Sequence, residues 1–142
     1  MTRVGHPLAR GQAEGVALVL RQPLSFWGGV DVETGAIIDH SHPDRGQSVA
    51  GRVLVMTGGR GSSSSSAVLA EAIRRRTGPI AIVLASPDPI LTVGALVADL
   101  LYGLTCPIAV CGLDGLITGQ RVRVQCHPAG AATVWNGPAE SD

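Results

Sequence analysis

Residues 52–76 read RVLVMTGGRGSSSSSAVLAEAIRRR, and three kinds of segment follow one another within them. Arg52 to Met56 is a short, nearly continuous apolar run, the pattern of a strand buried on both faces. Thr57-Gly58-Gly59-Arg60-Gly61 and five serines come next. Beyond them Val68, Leu69, Ala72 and Ile73 recur at helical spacing, and Glu71 is placed to pair with Arg74 or Arg75. Arg74, Arg75 and Arg76 close the helix where positive charge suits its carboxyl-end dipole, and Gly78-Pro79 is expected to stop it. Strand, glycine turn and helix in that order are the repeating unit of a parallel α/β protein.

Towards the carboxyl end, Ile80 to Leu84 reads as a second buried strand. Asp88 followed by Pro89 is a helix cap followed by proline at the first helical position. Ile90, Val93, Val97, Leu100 and Leu101 are expected to form the inner face of a second helix, ended by Gly103. Pro107 to Val110 reads as a third buried strand. Arg121 to Cys126 (RVRVQC) alternates as a strand buried on one face, with Ala131 to Trp135 as its hairpin partner. Towards the amino end, Glu14 to Leu20 is a β-type run, and Ala36-Ile37-Ile38 is a short candidate strand in a turn-rich stretch. The order predicts an α/β domain with a parallel central sheet, flanking strands and two main helices. Residues 1–13 and 136–142 are expected to be peripheral to this single domain.

The 142 residues (14.5 kDa) suffice for one core. With 45% hydrophobic and 15% charged residues the chain is not a disordered tail. Arginine and acid numbers match at 11 each, giving zero formal charge and no global field for nucleic acid or an anionic membrane. Aromatic residues are only 3%, so the core must be built from Val, Leu, Ile and Ala. Thr2 to Glu14 contains no apolar signal segment, and Pro89 to Leu101 is too short to span a bilayer. A cytoplasmic, soluble chain is expected. Cys106, Cys111 and Cys126 lack zinc-ribbon spacing and read as small buried hydrophobes. Neither they nor the four histidines give ligand spacing, so no metal is expected on this chain alone.

Gly58-Gly59-Arg60-Gly61-Ser62-Ser63-Ser64 lies where chemistry is most easily built. Glycine lets the backbone approach a ligand closely, and a helix's first turn leaves amides unpaired and partly positive. Serine hydroxyls add donors, and Arg60 can fork onto a carboxylate or phosphate. The loop reads as an anion cradle. It is not a Walker loop, because the lysine is absent. A capped glycine turn is the structural alternative. A serine here could also serve as a base, given strong electrostatic stabilisation of its alkoxide. Ser86-Pro87-Asp88-Pro89 should lie nearby, although a helix cap suffices to explain Asp88. Trp27-Gly28-Gly29 could line a cleft or subunit contact, or pack in the core. His40 and His42 read as solvated or capping, and His6 and His127 as peripheral.

Four motifs occur in order: Ser25-Phe26-Trp27-Gly28-Gly29-Val30-Asp31; His42-Pro43 with Gly46-Gln47-Ser48-Val49-Ala50-Gly51; Gly58 to Ser64; and Pro87-Asp88-Pro89-Ile90. Together they resemble the swivel domain, or small subunit, of the aconitase X family, from about Glu14 to Thr118. The resemblance implies a swivelling β/β/α domain that closes over a large catalytic subunit. It implies Ser62 as the base, with Gly61, Ser63 and Ser64 holding a small carboxylate substrate and Arg60 assisting. Aconitases place an arginine two residues after the base; Ser64 stands there in this chain, which argues against citrate. An iron or iron–sulfur centre is implied in the partner, where it would assist loss of hydroxide. The implied reaction is dehydration of cis-3-hydroxy-L-proline to 1-pyrroline-2-carboxylate, or alternatively of phosphomevalonate. The arginine-, alanine- and glycine-rich composition favours the former. A non-enzymatic anion-binding or regulatory module is the reading from a different class.

Overall fold

The computed structural model describes residues 1–139. Along the chain run β1 (Thr2–Ala9), β2 (Gly11–Val19), β3 (Val53–Met56), α1 (Ser65–Arg75), β4 (Ala81–Leu84), α2 (Pro89–Tyr102), β5 (Ile108–Val110), β6 (Gln120–Cys126) and β7 (Ala132–Ala139). Strands β2, β3, β4 and β5 pair parallel, as the βαβαβ order requires. The sheet does not stay open with flanking strands, however. It closes into a mixed barrel in the order β1-β5-β4-β3-β2-β6-β7, with β1 paired antiparallel to both β5 and β7.

The closing strand comes from the stretch expected to be peripheral. Residues 1–13 contribute all of β1 and the start of β2, but β1 is mostly exposed or half-buried, with only Ala9 buried. Its hydropathy therefore carries little strand signal, and the strand is fixed by pairing. Closure leaves neither β5 nor β7 with an open edge. At the other end β7 reaches Ala139, and residues 140–142 of the expected tail lie outside the described residues.

The short strands look uniformly apolar because they separate two cores. Val53 and Val55, Ala81 and Val83, and Ala109 point into the barrel with Val122, Val124 and Val134. Leu54 and Met56, Ile82 and Leu84, and Ile108 alternate with them and pack beneath the helices with Leu69, Ile73 and Leu91. Small side chains fill the barrel and larger ones the layer outside it. The scarcity of aromatics thus has a geometric reason.

Two expectations for the helices change. In α2 the buried residues are Leu91, Gly94, Ala95 and Ala98, whereas Val93, Leu100 and Leu101 are exposed. A Cβ on Gly94 would lie 2.7 Å from the Ser66 carbonyl oxygen, so the close α1–α2 contact demands small residues. Periodicity cannot identify the inner face of a helix that is apolar all round. Helix α1 is closed by its arginines as expected, but its last residue is Arg75 and the chain turns at Arg76, before Gly78 is reached. Arg76 takes the left-handed conformation (φ 63°), and the amides of Thr77 and Gly78 both donate to the Ala72 carbonyl. Ala36 and Ile37 make isolated bridges, to Ser48 and Val30, instead of a strand.

Candidate active site

The carboxyl ends of the parallel strands deliver three loops to one end of the barrel. Leu24, beyond β2, bridges in parallel to Gly59, beyond β3, and its carbonyl accepts the Arg60 amide at 3.2 Å. Asp88, beyond β4, reaches back to the same loop. Its Oδ2 accepts the Gly59 amide and its Oδ1 the Leu91 amide, each at 3.0 Å. Asp88 is thus both the cap of α2 and a clamp on the glycine–serine loop.

Two serines of the run serve as anchors that the sequence alone did not single out. Ser65 is buried, and its Oγ accepts the Trp27 amide at 3.0 Å. The Ser25 hydroxyl donates to the Trp27 carbonyl at 3.1 Å, so both backbone groups of Trp27 are held. Trp27 is nevertheless 58% exposed, beside the loop rather than in the core. Ser66 Oγ donates to the Ile90 carbonyl at 2.6 Å, tying the start of α1 to that of α2. The signal for these roles was length: five serines exceed what one helix cap uses.

Ser62, Ser63 and Ser64 remain exposed. The Ser62 hydroxyl oxygen accepts the Ser64 amide at 3.2 Å, and the Ser62 carbonyl accepts the Ser65 amide at 3.0 Å. Ser62 therefore caps the first turn, although Ser64 is the residue that immediately precedes α1 and its own side chain makes no cap bond. Among the described residues, the amides of Gly61, Ser62 and Ser63 donate to no acceptor. Gly61 has no left-handed φ, and a Cβ there would meet nothing within 4 Å. The chain's own packing does not require glycine at that position.

Arg60 is exposed, and its guanidinium makes no ion pair among the described residues. Asp39 is held below the usual carboxylate range chiefly by the Ser41 hydroxyl and amide, and the field of Arg60 adds to the lowering. His42 is not solvated. It is buried, with Nε2 3.0 Å from the Gln22 carbonyl and Nδ1 accepting the Asp44 amide at 3.0 Å. A small crevice under the loop is lined by Leu24, Phe26, Gly61, Ser65 and Ile90. The three serines stand exposed on the outer side of the loop.

The described residues do not by themselves form an iron site. Burial pushes the Cys106 and Cys126 thiols up, to about 12 and about 11, and the two are the buried cysteines of the chain. No group of three or more His, Cys, Asp or Glu among the described residues could hold a metal ion.

The fold and the loop define a small α/β barrel domain that presents its polar turn outward. The family model for the aconitase X swivel domain matches residues 2–130, and the chain belongs to that family. It is 46% identical over 109 residues to cis-3-hydroxy-L-proline dehydratase of Pseudomonas aeruginosa, covering 77% of this chain but 19% of that protein. It is 40% identical over 122 residues to the phosphomevalonate dehydratase small subunit of Thermococcus kodakarensis, covering 84% and 86%. The chain thus spans about a fifth of the former relative and most of the latter. A chain of the holo-form crystal structure of Thermococcus kodakaraensis aconitase X superposes with a TM-score of 0.83 at 34% identity, covering 95% of this chain and 98% of that one. No helix among the described residues is long and apolar enough to cross a membrane.

Proposed function

We propose that this chain is the small subunit of an aconitase X-type hydro-lyase, supplying Ser62 as the base that dehydrates a small hydroxy carboxylate. Ser62, as its alkoxide, takes the proton from the carbon next to the substrate carboxylate while hydroxide leaves the neighbouring carbon. Gly61, Ser63 and Ser64 hold the carboxylate through amides and hydroxyls, and Arg60 adds a movable positive charge. The observation that carries this reading is the exposed Ser62 oxygen, which already accepts an amide at the amino end of α1.

Magnitudes explain why the chain needs a partner. A helix amino terminus stabilises a nearby anion by up to about 2 kcal/mol, roughly 1.5 units of pKa. That is too little to ionise a serine hydroxyl in water. Exclusion of water and further donors must come from a large catalytic subunit closing over the turn, and relatives named small subunits support this division of labour. The iron or iron–sulfur centre implied by the family resemblance belongs to that partner, where it would assist departure of hydroxide. A swivelling motion of this domain would open and close the site.

The first substrate reading is cis-3-hydroxy-L-proline, with 1-pyrroline-2-carboxylate as product, supported by the 46% identity to the Pseudomonas aeruginosa dehydratase. Phosphomevalonate is the second, supported by the small-subunit relatives, whose length this chain largely covers. Assaying the co-purified pair with both compounds decides between them. Ser62→Ala in the assembled enzyme is expected to lower kcat by about 1,000-fold or more with assembly intact. Near-normal turnover by that complex would refute Ser62 as the base.

A further inference from the structure

Helix α2 carries its large apolar residues on the wrong side for a free-standing domain. Its inner face uses Leu91, Gly94, Ala95 and Ala98, and its outer stripe runs Pro89, Val93, Leu96, Leu100 at helical spacing. Leu100 is 84% exposed and Leu101 68%. The helix contains no cation and one acid, Asp99. A helix that is apolar all round is ordinarily buried, so the outer stripe lacks its cover here.

The stripe is one wall of two adjoining apolar grooves that share Leu8 of β1. Pro87, Pro89 and Val93 line the first, and Leu96, Leu100 and Pro128 the second. Every charged side chain along them already has a partner. Asp88 accepts the Gly59 and Leu91 amides, and Arg10 is paired with Asp99 at 2.8 Å. An apolar surface could therefore seat on this face without burying an unpaired charge.

We infer that the outer stripe of α2, with Leu8, is the seat of the large catalytic subunit; this rests on the proposed function. Two observations select that occupant over a second copy of the chain. The stripe starts at the Pro87-Asp88-Pro89 turn, whose aspartate grips Gly59 of the serine loop. A body that closes over Ser62 therefore continues directly onto the first turn of α2. Second, in the Pseudomonas aeruginosa and Hypocrea jecorina dehydratases the matched region is only 19% and 21% of the polypeptide, so most of each of those enzymes lies outside the matched region and supplies a large body to cover such a face. Through Asp88, seating on α2 also fixes the position of the serine loop.

The test co-expresses this chain with its large subunit and measures assembly by light scattering and titration. Leu96→Glu with Leu100→Glu is expected to weaken assembly by about 100-fold, as burying charge in an interface centre does. The isolated variant should keep the wild-type circular dichroism, and Ser62→Ala should assemble normally. If the double variant is poorly folded, amide shifts of the wild-type chain on adding the large subunit replace it, with residues 93–101 expected to change most. Wild-type assembly by the folded double variant, or shifts confined to other faces, overturns the inference and leaves the proposed function standing. A wild-type chain that dimerises alone, and is split by the two substitutions, assigns the face to a second copy and also overturns it. Failure of the wild-type pair to assemble removes both.

Discussion

Asp88 and Gly59 are joined across two loops: the aspartate Oδ2 accepts the glycine amide at 3.0 Å while its Oδ1 caps α2 at Leu91. The start of one helix is thereby made to position the loop that begins the other. A Cβ on Gly59 would lie 2.4 Å from that Oδ2, so the clamp requires glycine at its far end. The glycine–serine turn is held from below and left open above.

Substitution at Asp88 separates capping from clamping. Asp88→Ala removes both bonds and is expected to cost about 1–3 kcal/mol of stability. Asp88→Ser keeps a good cap but is too short to serve Gly59 as well, so most stability should return. If the clamp positions Ser62, kcat of the assembled enzyme stays low, by about 10-fold or more, in both variants. Chemical denaturation alongside steady-state kinetics checks this; recovery of kcat with stability in Asp88→Ser would show that only the cap mattered.

The glycines on either side of Arg60 should respond oppositely. Gly59→Ala drives a methyl group onto Asp88 and is expected to lower the unfolding midpoint. Gly61→Ala meets nothing within 4 Å and has no left-handed backbone to strain, so the isolated chain should be as stable as wild type. A loss of turnover in the Gly61→Ala complex, read as a raised KM, would indicate that the missing side chain leaves room for substrate or partner. Unchanged KM and kcat would remove Gly61 from the site.

The central βαβαβ order was legible because β3, β4 and β5 are short apolar runs broken by glycine, proline and a cap. The closure was not. Thr2–Ala9 becomes a strand only because β5 and β7 offer edges to it, information distributed over more than 100 residues. The glycine–serine loop was legible from composition, but the division of labour among its serines was not. Ser62, Ser63 and Ser64 remain exposed while Ser65 and Ser66 bind the Trp27 amide and the Ile90 carbonyl, and five identical letters cannot convey that split. The outer face of α2 was misread for a related reason: where helices touch closely, small residues pack inward and the larger ones are left outside.

Glu71 gives a pH dependence of known sign. Hydrogen bonds from Arg74 at 2.7 Å and Arg75 at 3.0 Å lower its carboxyl from 4.5 to about 2. The stabilisation from this depressed group is fully present above pH 4.5 and is lost as pH falls through about 2. Wild type is expected to melt above Glu71→Gln at neutral pH, by a small margin because the pairs are exposed. The gap should close between pH 4.5 and 2. A gap independent of pH across that window would show that the arginines do not hold this carboxylate.

The three thiols should differ sharply in reactivity, and the difference reports on the integrity of both cores. Cys106 lies in the layer beneath the helices, with Sγ 3.5 Å from the Pro79 carbonyl; Cys126 lies in the barrel, with Sγ 3.5 Å from the Ile108 carbonyl. Burial raises the first to about 12 and the second to about 11, the nearby Cys126 adding to the shift of Cys106. At pH 8 both are therefore held in the thiol form, and access is blocked besides. Cys111 is half-buried and raised by burial, with the field of Arg3 opposing the shift, so it should be the thiol that alkylates in the native state. Mass spectrometry after iodoacetamide at pH 8 should find one adduct, at Cys111, and three after unfolding. Rapid native modification of Cys106 would mean that α1 and α2 open away from the barrel in solution, and the clamp from Asp88 to Gly59 could not then hold Ser62 still.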